Sequence, residues 1–288
     1  MLAWLNGELV PEERAQVSVL DRGFLFGDGV YELVRYFGGH GVALDLHVAR
    51  LARSLELARI DGFDATRLGA IARELMRANG LSDASVYLQV TRGAGATRSH
   101  MPQPGLAPTV VALASATPAL DAFTAPDALR AIVRPDLRWH RCEIKTVSLA
   151  GNILSLLEAQ AAGADECILV RGGLVGEGAY TNVAIVTGGT VMTCPLGDGA
   201  APVLHGTMRC WMLEAAREAG VPHEVRRVRE DELRAADEVL VQSSRRLVAG
   251  VVELDGRRVG DGAPGPACRA LFAAMRARIE REVAAARG

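Results

Sequence analysis

The sequence predicts a two-domain α/β (α+β) protein, and three observations predict it. Runs rich in β-branched residues alternate with amphipathic, helix-periodic segments. Several strand-like runs are joined by two-residue glycine turns, which make antiparallel hairpins and exclude a purely parallel, doubly wound sheet. Near residue 120 the pattern breaks in "ATPALDAFTAPDA" (116–128), a small-residue, proline-bearing stretch without periodicity. The expected organisation is a small N-terminal α/β domain over 1–117, a linker over 118–125 and a larger C-terminal domain over 126–288, with a cleft between the lobes.

Taken in order, "AWLNGELV" reads as a hairpin turning at Asn6-Gly7. Residues 47–60 put Val48, Leu51, Leu55 and Ala58 on one helical face, and 66–80 form a second amphipathic helix stopped at Asn79-Gly80. Residues 85–93 and 109–115 read as strands. Beyond the linker come a strand in "LRAIVR", a helix over 152–163 ending at Gly163, and a hairpin in "ECILVRGGLVGE". A further hairpin turns at Gly188-Gly189. A helix over 207–220, a strand in "ADEVLVQSS", a hairpin at Asp255-Gly256 and a closing helix over 268–286 complete the chain.

The bulk numbers restrict function. A net charge of −2 over 288 residues leaves no basic footprint for nucleic acid or an anionic membrane. The five cysteines are scattered without a C-x-x-C pair, as expected of reduced thiols in a cytoplasmic protein. The N-terminus lacks a signal-peptide pattern, and no apolar run approaches the roughly 20 residues of a membrane span. The histidines show no metal spacing. "GDGAPG" matches G-x-G-x-x-G literally, but it contains Pro264 and follows a hairpin, so it lacks the βαβ context of a dinucleotide site.

One position stands apart. Of the 32 Lys plus Arg, Lys145 is the single lysine. A guanidinium stays protonated, whereas a desolvated ammonium can release a proton and become a nucleophilic amine. Where surface cations are arginine, a solitary lysine points to amine chemistry, and the commonest carbonyl partner of such an amine is pyridoxal phosphate. That cofactor requires a carboxylate for its ring nitrogen and a cup for its phosphate. Glu177 lies between Gly176 and Gly178, which allow close backbone approach. Gly206 precedes a helix, so the amides of Thr207 and Met208 lie at a helix N-terminus, where anions bind. Ser243 and Ser244 add hydroxyls at a strand end.

Together "DRGFLFGDGVYELVR", "HVARL", "YLQVTRGAGATRSH", "RWHRCEIKTVSLAGN", "EGAYTNV" and "ELDGRRVGDG" resemble, in order and spacing over nearly the whole chain, the fold-type IV pyridoxal-phosphate enzymes. Among these the D-amino acid aminotransferases are the most similar. The resemblance implies that Lys145 holds the cofactor covalently and shuttles the proton, and that Glu177 pairs with the pyridine nitrogen. It also implies that Arg50, Thr207, Met208 and Ser244 line the phosphate cup. Tyr31 would face the substrate, and Arg98 and His100 would capture its carboxylate from across a homodimer interface. The sequence departs from the relatives at Met208, where a thioether replaces a hydroxyl, at bulky Tyr180, and at the basic pair Arg245 and Arg246. The expected reaction is transamination between D-amino acids and 2-oxo acids. The alternatives are an aminodeoxychorismate lyase, a branched-chain or (R)-amine transaminase on the same fold, or a non-catalytic binding protein, the last opposed by the intact Lys145 and Glu177.

Overall fold

The computed structural model describes residues 1–286. The chain forms two compact units. The first comprises Met1–Ala122, Ile144–Leu149 and residues 282–286; the second comprises Phe123–Glu143 and Ala150–Arg281. The units are thus not the two continuous blocks, 1–117 and 126–288, into which the sequence reading divides the chain. Backbone pairing draws Ile144–Leu149 into the first unit. Val30 bridges Thr146, the Tyr31 amide donates to the Lys145 carbonyl at 2.9 Å, and the Val147 amide donates to the Gly29 carbonyl at 3.0 Å. An otherwise irregular segment satisfies its polar backbone by lying along a strand.

In the first unit β1 (Leu2–Leu5) and β2 (Glu8–Pro11) form the expected hairpin, with φ of 51° at Asn6 and 108° at Gly7. Positive φ at both central residues suits the right-handed twist of the flanking strands. There follow α1 (Arg22–Phe26), β3 (Gly29–Phe37), β4 (His40–Gly41), α2 (Leu44–Ala58), α3 (Leu68–Ala78), β5 (Ala84–Thr91) and β6 (Thr109–Ala116). The six strands pair antiparallel in the order β2-β1-β6-β5-β3-β4. Val30 and Val34 of β3 join Leu51 and Leu55 of α2 and Leu68, Ile71 and Leu75 of α3 in one core. The two-residue period of the strand places Glu32 on the same face as these valines. The buried face of α2 is His47, Arg50, Leu51, Ser54 and Leu55; Val48 and Ala58, expected on it, are only partly buried. The helix is turned so that His47 and Arg50 meet the buried Glu32.

The second unit holds β7 (Ala128–Pro135), α4 (Ala150–Ala161), β8 (Glu166–Arg171), β9 (Leu174–Gly178), β10 (Asn182–Thr187), β11 (Thr190–Thr193), α5 (Thr207–Glu218), β12 (His223–Val225), α6 (Glu230–Ala235), β13 (Glu238–Ser243), β14 (Leu247–Leu254), β15 (Arg257–Arg258) and α7 (Pro266–Ala285). The strand path β12-β11-β10-β13-β14-β7-β8-β9 returns on itself, because β9 also pairs β10 at Glu177 opposite Asn182. Parallel β7–β8 and β7–β14 pairs occur beside antiparallel hairpins, so the sheet is mixed. Alternate residues fill the core within the closed path: Leu129, Ala131 and Val133, Ile168 and Val170, Val183 and Ile185, Val239 and Val241. Residues of opposite parity, Ile132, Cys167 and Leu169, pack with Ala159 of α4. The predicted hairpin turns at Gly188-Gly189 and Asp255-Gly256 all have positive φ. Among the described residues no helix is long and apolar enough to cross a membrane.

Candidate active site

In the first unit Lys145 is half-buried. Its amide donates to Ser54 Oγ at 3.2 Å, and its Nζ lies 4.2 Å from the Tyr31 ring centroid. Tyr31 in turn packs on Tyr87, ring centroids 5.4 Å apart, and the Tyr87 hydroxyl donates to Gln89 Oε1 at 2.7 Å. The amine therefore sits over an aromatic face held in place by neighbouring strands. Arg50 is buried and engages Glu32 through two bonds, Nε to Oε1 at 2.7 Å and Nη2 to Oε2 at 2.8 Å. Glu32 also meets His47 Nδ1 at 2.6 Å. Burial opposes both ionised forms. The Arg50 and His47 charges nevertheless hold the Glu32 carboxyl far below the usual range, and burial lowers His47. The pair fixes the direction of the Arg50 guanidinium.

Arg98 and His100 lie on the exposed loop between β5 and β6. The Arg22 guanidinium donates to the carbonyls of Ser99 at 2.6 Å and His100 at 2.9 Å, and its Nε pairs with Asp28 at 2.8 Å. Arg98 and His100 both contact the ring of Phe26, at 5.2 and 5.6 Å from its centroid. Both side chains are thus displayed together on a loop pinned by buried Arg22, a residue to which sequence reasoning assigned no role.

In the second unit Glu177 lies next to last in β9, where the sheet closes. Its Oε1 accepts from Arg138 Nη1 at 2.7 Å; its Oε2 accepts from the Leu204 amide at 2.8 Å and from Asn182 Nδ2 at 3.3 Å. Burial pushes its carboxyl up, against the Arg138 guanidinium, which favours the anion. Asn182 also donates to the Leu204 carbonyl at 3.0 Å and reaches the start of α5. A Cβ on Gly206 would lie 1.7 Å from Asn182 Oδ1, so only glycine admits this amide there. Thr207 and Met208 are buried in the first turn of α5, where amides have no intrahelical acceptor. The Met208 thioether belongs to the packed interior, which leaves the backbone amide as that residue's polar contribution. The Ser243 hydroxyl and both side-chain amide atoms of buried Gln242 are without hydrogen-bond partners among the described residues, and Ser244 begins the turn after them. Gln242 stands directly opposite Asn182 in the sheet.

These features fit pyridoxal phosphate. A buried carboxylate has an acceptor position to spare, a helix N-terminus opens beside it, and unsatisfied polar groups line the neighbouring strand. The structure groups the sequence-derived residues as Lys145, Tyr31, Arg50, Arg98 and His100 in one unit and Glu177, Thr207, Met208 and Ser244 in the other. Arg246, a conceivable rival anchor for a substrate carboxylate, is engaged by Asp127 at 2.5 Å and touches Tyr180, while Arg245 is exposed. The "GDGAPG" stretch serves α7. Glu238 accepts from the Ala267 and Cys268 amides, both at 2.9 Å, and a Cβ on Gly265 would lie 2.1 Å from its carboxyl carbon. Sequence reasoning also missed Arg138, Ser54 and Asn182. Arg138 and Asn182 lie inside the landmark stretches, but no spacing rule says which buried carboxylate they reach.

Residues 29–254 match the family model described as "Amino-transferase class IV". The D-alanine aminotransferase of Bacillus licheniformis is 37% identical over 294 residues, 99% of each chain. The branched-chain aminotransferase of Thermoproteus uzoniensis with norvaline superposes with a TM-score of 0.83 at 28% identity, over 98% of this chain and 94% of that one. A hypothetical aminotransferase from Mycobacterium tuberculosis, in its PLP-bound form, gives 0.82 at 26% identity over 98% and 100%. Class IV aminotransferases are pyridoxal-phosphate enzymes that exchange amino groups between amino acids and 2-oxo acids. By its family match and its near-complete overlap with these relatives, this chain belongs to the class IV aminotransferases.

Proposed function

We propose that the protein transfers amino groups between D-amino acids and 2-oxo acids, as a homodimer, with pyridoxal phosphate held on Lys145. The observation that carries the D-specific reading is the match to the D-alanine aminotransferase of Bacillus licheniformis across 99% of both chains, at higher identity than the branched-chain structures reach. When bound, the cofactor supplies a carbonyl for the amine and an electron-withdrawing ring. The Lys145 amine carries the proton to and from the substrate Cα. Glu177 holds the proton of the ring nitrogen. The α5 N-terminal amides, Ser243, Ser244 and Arg50 receive the phosphate, Gln242 and Ser243 being the groups with bonds still to make. Lys145 reaches only the Cα proton on its own face, so the enantiomer accepted depends on where the carboxylate is anchored. A guanidinium can hold a carboxylate in a bidentate, oriented way, which assigns that task to Arg98 with His100, from the partner subunit. The cysteines, none of them in a disulfide, suit a reducing, cytoplasmic setting.

The test is a panel of D- and L-amino acids with pyruvate and 2-oxoglutarate. D-alanine or D-glutamate is expected to react well above its L-form. Arg98→Ala should cut that turnover roughly 10- to 100-fold, the scale of a lost charge-assisted hydrogen bond. Preference for L-leucine or L-valine would replace this reading with the branched-chain one. Pyruvate release from aminodeoxychorismate as the sole activity would establish the lyase.

A further inference from the structure

We infer that Arg138 is a positioning residue for the cofactor ring: it holds Glu177 ionised and oriented, so that the carboxylate keeps the ring nitrogen protonated. The inference rests on the proposed pairing of Glu177 with that nitrogen and adds the residue that makes the pairing possible.

A carboxylate offers about four acceptor positions, two on each oxygen. On Glu177, Oε2 is filled by the Leu204 amide and the Asn182 side chain, and Oε1 holds one bond, from Arg138. One position on Oε1 remains, beside the guanidinium bond. Leu204 and Asn182 are neutral donors. Arg138 is the only cation that the ion pairs of the described residues bring to Glu177. A buried carboxylate with neutral donors alone would take up a proton. A protonated Glu177 could not accept a shared proton from the ring, and the ring would lose its positive charge.

Arg138 is itself built into place. Its Nε and Nη2 clasp the Asp136 carboxylate at 2.9 and 3.1 Å, and Arg171 meets the same carboxylate at 3.1 Å. Arg171 also donates to the Arg138 carbonyl at 2.9 Å. The charges alternate along the row Arg171, Asp136, Arg138, Glu177, and only Arg171 approaches the surface. The fork is locked by Asp136 on one side and delivers a single Nη1 donor to Glu177 on the other. Lysine could supply the charge but not both contacts. The stretch "RWHRCEIKTVSLAGN" therefore serves both units, with Arg138 in the second and Lys145 in the first.

The experiment uses the whole protein loaded with pyridoxal phosphate labelled with ¹⁵N in the ring, read by the nitrogen chemical shift against pH. Cofactor affinity of the apoprotein is measured by fluorescence titration. In the wild type the ring nitrogen is expected to remain protonated through neutral pH. Arg138→Met should move the shift to that of an unprotonated ring and weaken cofactor binding ~10-fold or more, the scale on which outer partners of a bound group act. Arg138→Lys should restore part of the protonated signal. In a Glu177→Gln background, Arg138→Met should leave the shift where Glu177→Gln alone put it, which a merely structural role would not produce. An unprotonated ring in the wild type overturns the inference without any variant, as does an Arg138→Met protein with wild-type shift and affinity. Borohydride fixation of the cofactor to Lys145 separates the two levels. A normal Lys145 adduct with an unchanged shift refutes the role of Arg138 alone; an adduct elsewhere refutes the functional reading beneath it.

Discussion

At the scale of single residues, chemistry here depends on pairs that cannot be exchanged for their nominal equivalents. Lys145 and arginine carry the same charge, yet only lysine can present a free amine. Lys145→Arg is expected to lose at least ~10²-fold in turnover, the lower range of what a positioned proton-transfer group contributes. The same variant should give no borohydride-stable adduct by peptide mass mapping. Retained turnover with an adduct at another residue would show that the solitary lysine is incidental. Arg50 and Glu32 make the complementary point. The guanidinium is aimed by a buried carboxylate on β3, and His47 on α2 shares that carboxylate. Three ionisable groups in a helix–sheet core cost desolvation, which is tolerable because each satisfies the others.

At the scale of elements, the turn between β9 and β10 places Glu177, and Glu166 at the start of β8 holds that turn. Glu166 accepts from the Ala179 and Cys167 amides at 2.9 and 2.8 Å and from the Thr181 hydroxyl at 2.7 Å. A Cβ on Gly178 would lie 2.8 Å from its carboxyl carbon, which explains a glycine next to Glu177. Burial pushes the Glu166 carboxyl up from an ordinary 4.5 to about 7, although its three donors favour the anion. Between those two values the folded chain keeps a proton that the unfolded chain has released. The associated stability is fully present below pH 4.5 and is lost as pH rises toward 7. Glu166→Gln has no such proton. Denaturant unfolding should therefore show the variant gaining on the wild type by roughly 1–3 kcal/mol between pH 5 and 7.5. Parallel stability curves for the two proteins would mean that Glu166 is ionised throughout and that the turn is held by a carboxylate.

At the scale of the whole molecule, α4 exposes Ile153, Leu154 and Leu157 at 53%, 63% and 52% while burying Ala159. An outward apolar stripe on a helix is a candidate contact for another chain. It suits the proposed homodimer, in which Arg98 and His100 would reach the site of the partner subunit. Sedimentation at working concentration should give a dimer, and Leu154→Lys should shift it toward monomer and reduce turnover with it. A monomer of full activity would mean that the carboxylate anchor comes from within the same chain.

The sequence by itself determined the elements whose signals are local. Asn6-Gly7, Gly188-Gly189 and Asp255-Gly256 announce hairpins because only such residues take positive φ cheaply. The helix that starts at Thr207 was legible from the glycine before it, and α3 from its period and the Asn79-Gly80 stop. That Lys145 is the single lysine was legible from composition alone. Tertiary structure decided what depends on parity, register and long-range pairing. β3 went unassigned by pattern because Glu32 and Arg35 interrupt its apolar run, and both are buried against distant partners. The apolar face of α2 packs on the core as its period predicts, but apolar periodicity cannot anticipate that His47 and Arg50 also point inward to a carboxylate on another element. The assignment of Ile144–Leu149 to the first unit and the row from Arg171 to Glu177 join residues far apart in the chain. Such contacts are specified by complementary charge and by backbone hydrogen bonds that form only after the chain has folded, and a linear pattern carries no record of them.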